Sequence, residues 1–148
     1  MTRLRVRLRG TVNDVVAMDE DKPVALVVED DDCISELIEL VLRLDGFDVV
    51  TCPTGQDAIA AATTRSFSVA VLDLMLPDTS GIDVCRHVRS AAGHQQPVIV
   101  VLTAANGLAE LQRAFDAGAD DFVAKPFQPR ELTARLRAHL AGRTVVTA

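Results

Sequence analysis

The sequence predicts an α/β fold: a five-stranded parallel sheet, doubly wound, with helices on both faces. Three observations carry this. Between residues 23 and 141, short β-branched runs alternate five times with helix-period segments, the pattern of repeated strand–helix crossovers. Hydrophobic residues make up 49% of the 148 residues but aromatics only 3%, so the apolar content is Val, Leu, Ile and Ala, which suits strands buried on both faces. Polar or charged residues close four of the five strand-like runs, at the sheet edge where such folds keep their working crevice.

The first strand is Val24–Val28, which runs straight into Glu29, Asp30, Asp31 and Asp32. Ile34, Leu37, Ile38 and Val41 follow at i, i+3, i+4 and i+7, one face of a helix, with Gly46 as its stop. Phe47–Cys52 reads as the second strand and the alanine-rich Gly55–Thr64 as the second helix. The third strand, Val69–Leu72, ends at Asp73; Ser80 is the expected N-cap of a helix that carries Ile82, Val84, Cys85 and Val88. Val98–Leu102 ends at Thr103 and precedes a helix with Leu108, Leu111 and Phe115 that stops at Gly118. Phe122–Ala124 ends at Lys125, and a last helix with Leu132, Leu136 and Leu140 is expected to stop near Gly142. The domain is therefore 23–141, flanked by a basic extension, 1–22, read as flexible, and a tail, 142–148.

In the extension, Arg3, Arg5, Arg7 and Arg9 alternate with Leu4, Val6 and Leu8, a strand-like period; Met18 stands where the domain sequence could itself begin. A net charge of −6 argues against nonspecific nucleic-acid binding. Cys33, Cys52 and Cys85 are odd in number and far apart, which fits reduced thiols in the cytoplasm better than a disulfide frame or a metal clip; for Cys33 a packing role at the helix start is expected. His87, His94 and His139 have no metal-site spacing and are expected at the surface. The chain holds neither a bilayer-length apolar stretch nor the apolar middle of a signal peptide.

Parallel topology brings Glu29, Asp30, Asp73, Thr103 and Lys125 to one crevice. Clustered carboxylates repel one another, but a hard dication, Mg²⁺ or Mn²⁺, would neutralise them. Asp73 is the best nucleophile, since carboxylates form aspartyl-phosphate intermediates. Phosphoryl transfer needs chiefly positioning and charge neutralisation, which the metal, Lys125 and the Thr103 hydroxyl would supply.

The segments VALVVEDD, VAVLDLMLPDTSGID, VIVVLTA and GADDFVAKPF, in this order, resemble the receiver domain of two-component response regulators over residues 23 to 141. The stretch KPFQPRELTARLRAHL is similar to the winged-helix (OmpR/PhoB-like) class. The resemblance implies the flavodoxin-like strand order 2-1-3-4-5. It implies that Asp73 accepts a phosphoryl group from a histidine kinase. Asp30 and Asp73 would then bind Mg²⁺ directly, Glu29 through water, and Met75 through its backbone carbonyl. Lys125 would pair with the phosphate, Thr103 would move toward it, and Phe122 would be the switch aromatic. Such a chain is a signalling phosphoacceptor rather than an enzyme, catalysing only its own phosphorylation and dephosphorylation. In that class activated receivers pair through the fourth helix, fifth strand and fifth helix, here Leu108, Leu111, Phe115, Asp121, Glu131 and Arg135. Leu111 and Ala117 stand where charged partners are expected, so the expectation is either a weak, phosphorylation-dependent homodimer or an ordinary solvated helix face.

The sequence stops at residue 148, where the winged-helix class would begin a linker; it is read either as a receiver excised from a longer regulator or, by preference, as a stand-alone receiver that acts on an output partner. A haloacid-dehalogenase-type phosphatase would need an acid two residues after the nucleophile, where Met75 stands. A flavodoxin-like FMN site would have to place phosphate against Glu29–Asp32, which repels it. The remaining alternative is a receiver-like interaction module that works without phosphorylation.

Overall fold

The structure, a computed structural model, describes residues 4–8, 15–19, 22–104 and 107–144. The strand-like alternation near the N-terminus is realised: β1 (Leu4–Leu8) and β2 (Val15–Asp19) form an antiparallel pair, with Leu4 opposite Asp19 and Leu8 opposite Val15. The extension, read above as flexible, is strand-forming where it is described. Residues 1–3, 9–14, 20–21, 105–106 and 145–148 lie outside the described residues.

The domain is built from β3 (Val24–Val28), α1 (Asp32–Leu44), β4 (Asp48–Cys52), α2 (Gly55–Thr64), β5 (Val69–Asp73), α3 (Gly81–Ala92), β6 (Val98–Ala104), α4 (Leu108–Asp116), β7 (Asp121–Lys125) and α5 (Pro129–Thr144). The five strands pair in parallel in the order β4-β3-β5-β6-β7, which is 2-1-3-4-5 counted within this sheet. Chain order reverses about β3, so the crevice opens beyond the carboxyl ends of β3 and β5.

Alternate strand residues feed two cores. Leu26, Leu72, Ile99 and Val101 pack with Val84, Cys85 and Leu111, beneath α2, α3 and α4. Val27, Val71, Val100 and Leu102 pack with Ile38, Leu42, Leu132 and Leu136, beneath α1 and α5. Strands covered on both sides need continuous apolar runs, and that is why the aliphatic segments were legible as strands.

Caps follow the sequence. Ile34 N donates to Asp31 Oδ1 (3.1 Å) at the start of α1, and Ile82 N to Ser80 Oγ (3.1 Å) at the start of α3. Gly46 has φ 96°, the left-handed region in which glycine ends a helix without steric cost.

Three expectations are corrected. In α1 the buried line is Ile34, Ile38 and Leu42, while Leu37 is 42% exposed; a helix with leucines at 37, 40, 42 and 44 offers more than one apolar stripe. Helix α5 passes Gly142 and ends at Thr144, so the domain does not stop at residue 141. An internal glycine costs a helix only about 1 kcal/mol, and Arg143 donates to the carbonyls of Gln96 and Pro97, holding the last turn down. Cys33 is exposed rather than packed. Cys52 and Cys85 are buried, and burial pushes the Cys85 thiol up to about 11. Among the described residues, no helix is long and apolar enough to cross a membrane.

Candidate functional site

Four of the five strand ends, all but that of β4, deliver polar groups to the crevice. Glu29, immediately after β3, is 1% exposed, whereas the next residue, Asp30, is exposed. Asp73 closes β5 and is buried. It lies opposite Leu102 in the ladder, so Thr103, also buried, stands one residue farther along β6, next to Ala124 of β7. Lys125 closes β7. Its ammonium reaches back across the sheet to Glu29 Oε1 (2.6 Å) and Asp73 Oδ2 (3.0 Å). The other oxygen of Asp73, Oδ1, accepts from Met75 N (3.0 Å).

Glu29, Asp30 and Asp73 each offer an oxygen within 4.8 Å of the others. Three carboxylates therefore face one ammonium. Glu29 Oε2 is buried with no hydrogen-bond partner, which is costly for an acceptor that water cannot reach. Oxygen donors, excess negative charge and an orphaned carboxylate oxygen all suit a hard dication that retains some of its water. The residues present fit Mg²⁺ or Mn²⁺.

The electrostatics agree. Burial first, and the hydrogen bond and charge of Asp73 next, push Glu29 up to about 7 against the pull of Lys125. Burial opposes the Lys125 charge, yet its hydrogen bonds to Glu29 and Asp73 hold it above the usual lysine range. The cost of the acid cluster thus falls on buried Glu29. A pH prediction follows. Between about 4.5 and 7 the folded chain keeps the Glu29 proton that the unfolded chain releases, so metal-free stability should fall as pH rises through that window. Thermal melts in EDTA from pH 5 to pH 8 should show this decline, and Glu29→Gln should flatten it. A wild-type slope of the opposite sign that Glu29→Gln leaves intact would contradict the assignment.

On the opposite edge, Phe122 meets Phe115 edge-on with ring centroids 6.4 Å apart, and the Arg135 guanidinium lies 5.6 Å over the Phe122 ring. Arg135 also donates to Asp121 Oδ1 (2.8 Å) and Glu131 Oε1 (3.4 Å). Despite partial burial, the Phe122 N–H, His139 and Arg135 hold Asp121 below the usual carboxylate range. Three expectations change here. Leu111 belongs to the core, so Leu108 and Phe115 are the exposed apolar residues of α4. Asp121 and Arg135 pair within one chain rather than waiting for a second copy. His139, expected at the surface, is half-buried and lies 3.1 Å from Asp121 Oδ2.

Sequence reasoning missed Asp78 altogether. Its carboxylate accepts from Gly55 N (2.8 Å) and Gln56 N (2.9 Å), tying the loop after β5 to the start of α2. Those amides lie 23 and 22 residues away in the chain, and no local signal connects them.

Residues 25–137 match the response regulator receiver domain family. The chain is 42% identical over 123 residues to the DNA-binding response regulator MtrA of Mycolicibacterium smegmatis, covering 83% of this chain and 53% of that protein. A putative response regulator from Chloroflexus aurantiacus superposes with a TM-score of 0.75 at 34% identity, over 82% of this chain and 99% of that one. The BeF3-activated receiver domain of DrrB, an OmpR/PhoB homologue from Thermotoga maritima, gives a TM-score of 0.73 at 35% identity, over 81% and 98% of the two chains. The chain spans about half the length of the curated MtrA regulators it matches.

Proposed function

The chain belongs to the response regulator receiver domain family, and from that membership we propose that it accepts a phosphoryl group on Asp73 from a histidine kinase and passes the signal on by a change of shape. The observation that carries this reading is the Lys125 ammonium bridging Glu29 and Asp73 in a crevice with one carboxylate oxygen left over. A carboxylate oxygen of Asp73 attacks the phosphorus of the kinase's phosphohistidine. The O–P bond forms as the P–N bond breaks, and the electron pair returns to the imidazole. Asp30 and Asp73 would hold Mg²⁺ directly, Glu29 through water, and Met75 through its carbonyl. When bound, the metal supplies neutralisation of charge on the transferring oxygens. Lys125 exchanges its bond to Asp73 for one to the new phosphoryl group, and the Thr103 hydroxyl closes on another phosphoryl oxygen. That group adds about −1.5 to −2 charges, enough to bias the loop after β6 and with it Phe122.

On this reading the chain is a cytoplasmic signalling phosphoacceptor, not an enzyme acting on a separate substrate. It passes the signal to an output partner or a DNA-binding domain and does not itself bind nucleic acid. A phosphorylation-independent interaction module is the alternative, and the intact set of Asp73, Thr103 and Lys125 favours the phosphoacceptor. Intact mass after incubation with acetyl phosphate and Mg²⁺ tests it; failure to gain a phosphoryl group would leave the alternative standing.

Activated copies should associate weakly through α4, β7 and α5. Arg135 must first leave its own Asp121, and exposed ion pairs contribute only about 0–1 kcal/mol each. Sedimentation should show a monomer without BeF3, a shift toward dimer with it, and no shift for Arg135→Glu. Unchanged mass on activation at high protein concentration would make the chain a monomeric switch.

A further inference from the structure

We propose that Asp78 is a positioning residue for the phosphoacceptor loop: it fastens the segment between β5 and α3 to the N-terminus of α2 and so holds Met75 against Asp73. The inference rests on the phosphoacceptor reading above.

Both oxygens of the Asp78 carboxylate are committed, one to Gly55 N and one to Gln56 N. The Gly55 amide first and the Gln56 amide next hold this exposed acid below the usual carboxylate range. The two segments also meet closely, since a Cβ on Gly55 would stand 2.1 Å from Thr79 Cγ2 and 3.5 Å from Asp78 Oδ1. Helix α2 has its own cap, because Asp57 N donates to Thr54 Oγ1 (3.1 Å). The Asp78 pair satisfies two further amides of that helix end, so it joins loop and helix, whereas Thr54 serves the helix alone.

The base of the loop is closed by the Met75–Ser80 bridge and by Gly81 N donating to Leu74 O (3.1 Å). Asp78 ties its outer part. Met75 is itself part of the base tie, with its N–H on Asp73 Oδ1 and its carbonyl assigned to the metal, and the outer tie by Asp78 keeps that base from lifting. A loop free to lift would carry both groups away from the reacting carboxylate, which is how a tie several residues from the chemistry acts on it.

The test compares the whole chain as wild type, Asp78→Ala, Asp78→Asn and Thr54→Ala, measuring Mg²⁺ affinity by calorimetry, phosphorylation by acetyl phosphate, and melting temperature. Asp78→Ala should bind Mg²⁺ about tenfold more weakly, the lower end of what partners of metal ligands contribute, and should phosphorylate more slowly at fixed Mg²⁺. Asp78→Asn keeps one acceptor oxygen and should fall between wild type and Ala. Thr54→Ala removes a cap from the same helix end and should lower the melting temperature with Mg²⁺ affinity unchanged. Wild-type Mg²⁺ affinity in Asp78→Ala would overturn the proposal, as would an equal loss in Thr54→Ala, because the effect would then run through helix stability. A wild-type chain that neither binds Mg²⁺ nor takes a phosphoryl group would instead remove the phosphoacceptor reading, and this inference with it.

Discussion

Asp73→Asn should gain no phosphoryl group from acetyl phosphate and Mg²⁺ under conditions in which the wild-type chain gains the mass of one. The amide oxygen of asparagine lacks the charge to attack phosphorus or to hold a dication, so the loss should be complete rather than graded. Its stability signature separates this from unfolding. Asp73 raises the cost of ionising Glu29 through its hydrogen bond and its charge. Removing that charge relieves the cluster, so the metal-free variant should melt no lower than wild type. It should also lose most of the stabilisation that Mg²⁺ gives wild type, because a ligand that binds only the folded state stabilises it by an amount that grows with the logarithm of its affinity. EDTA should abolish wild-type labelling in the same assay. A phosphoryl adduct that persists on Asp73→Asn would place the acceptor elsewhere.

Two kinds of information in the chain set what was legible. Val24–Val28 was readable to the residue because an aliphatic run meets an acid cluster, a change of composition that coincides with the end of the strand. Gly55–Thr64 was equally readable from its alanine-rich run, although its Thr54 cap was not. The crevice residues were readable because parallel topology alone brings strand ends together, so Glu29, Asp73 and Lys125 could be grouped without knowing any distance. What escaped depends on contacts between distant segments. The face α1 buries is chosen by what it packs on, and a local pattern containing Leu37 could not decide it. The end of α5 depends on Arg143 reaching carbonyls 47 and 46 residues away. The exposure of Leu111 depends on where α4 settles on the sheet, and Asp78 could not be told from an ordinary loop acid. Such features are set by tertiary packing, which routinely overrides local propensity.

Gly81→Ala should cost the domain more than any conservative change at the crevice. A Cβ at this position would stand 2.2 Å from Asp73 O, 2.6 Å from Leu74 Cα and 2.9 Å from Asp73 C. All three are backbone atoms, so no side chain can rotate away to make room. Strand β5 cannot retreat, since it is bonded to β3 on one side and β6 on the other. The start of α3 must then move off, breaking the Gly81 N to Leu74 O bond and drawing Val84 and Cys85 out of the core they share with Leu72. Overpacking of this kind costs about 3 kcal/mol or more when backbone must yield, which for a domain of this size lowers the melting temperature by roughly 10 °C or more. The companion change Gly142→Ala meets nothing within 4 Å and removes only the entropic cost of a glycine inside α5. It should stabilise the chain by about 0.5–1 kcal/mol. Thermal melts of the two variants beside wild type, followed by circular dichroism, should therefore move in opposite directions. A Gly81→Ala chain melting within two or three degrees of wild type would mean that β5 and α3 do not approach as closely as this structure has them, and the support for Asp73 would need another explanation.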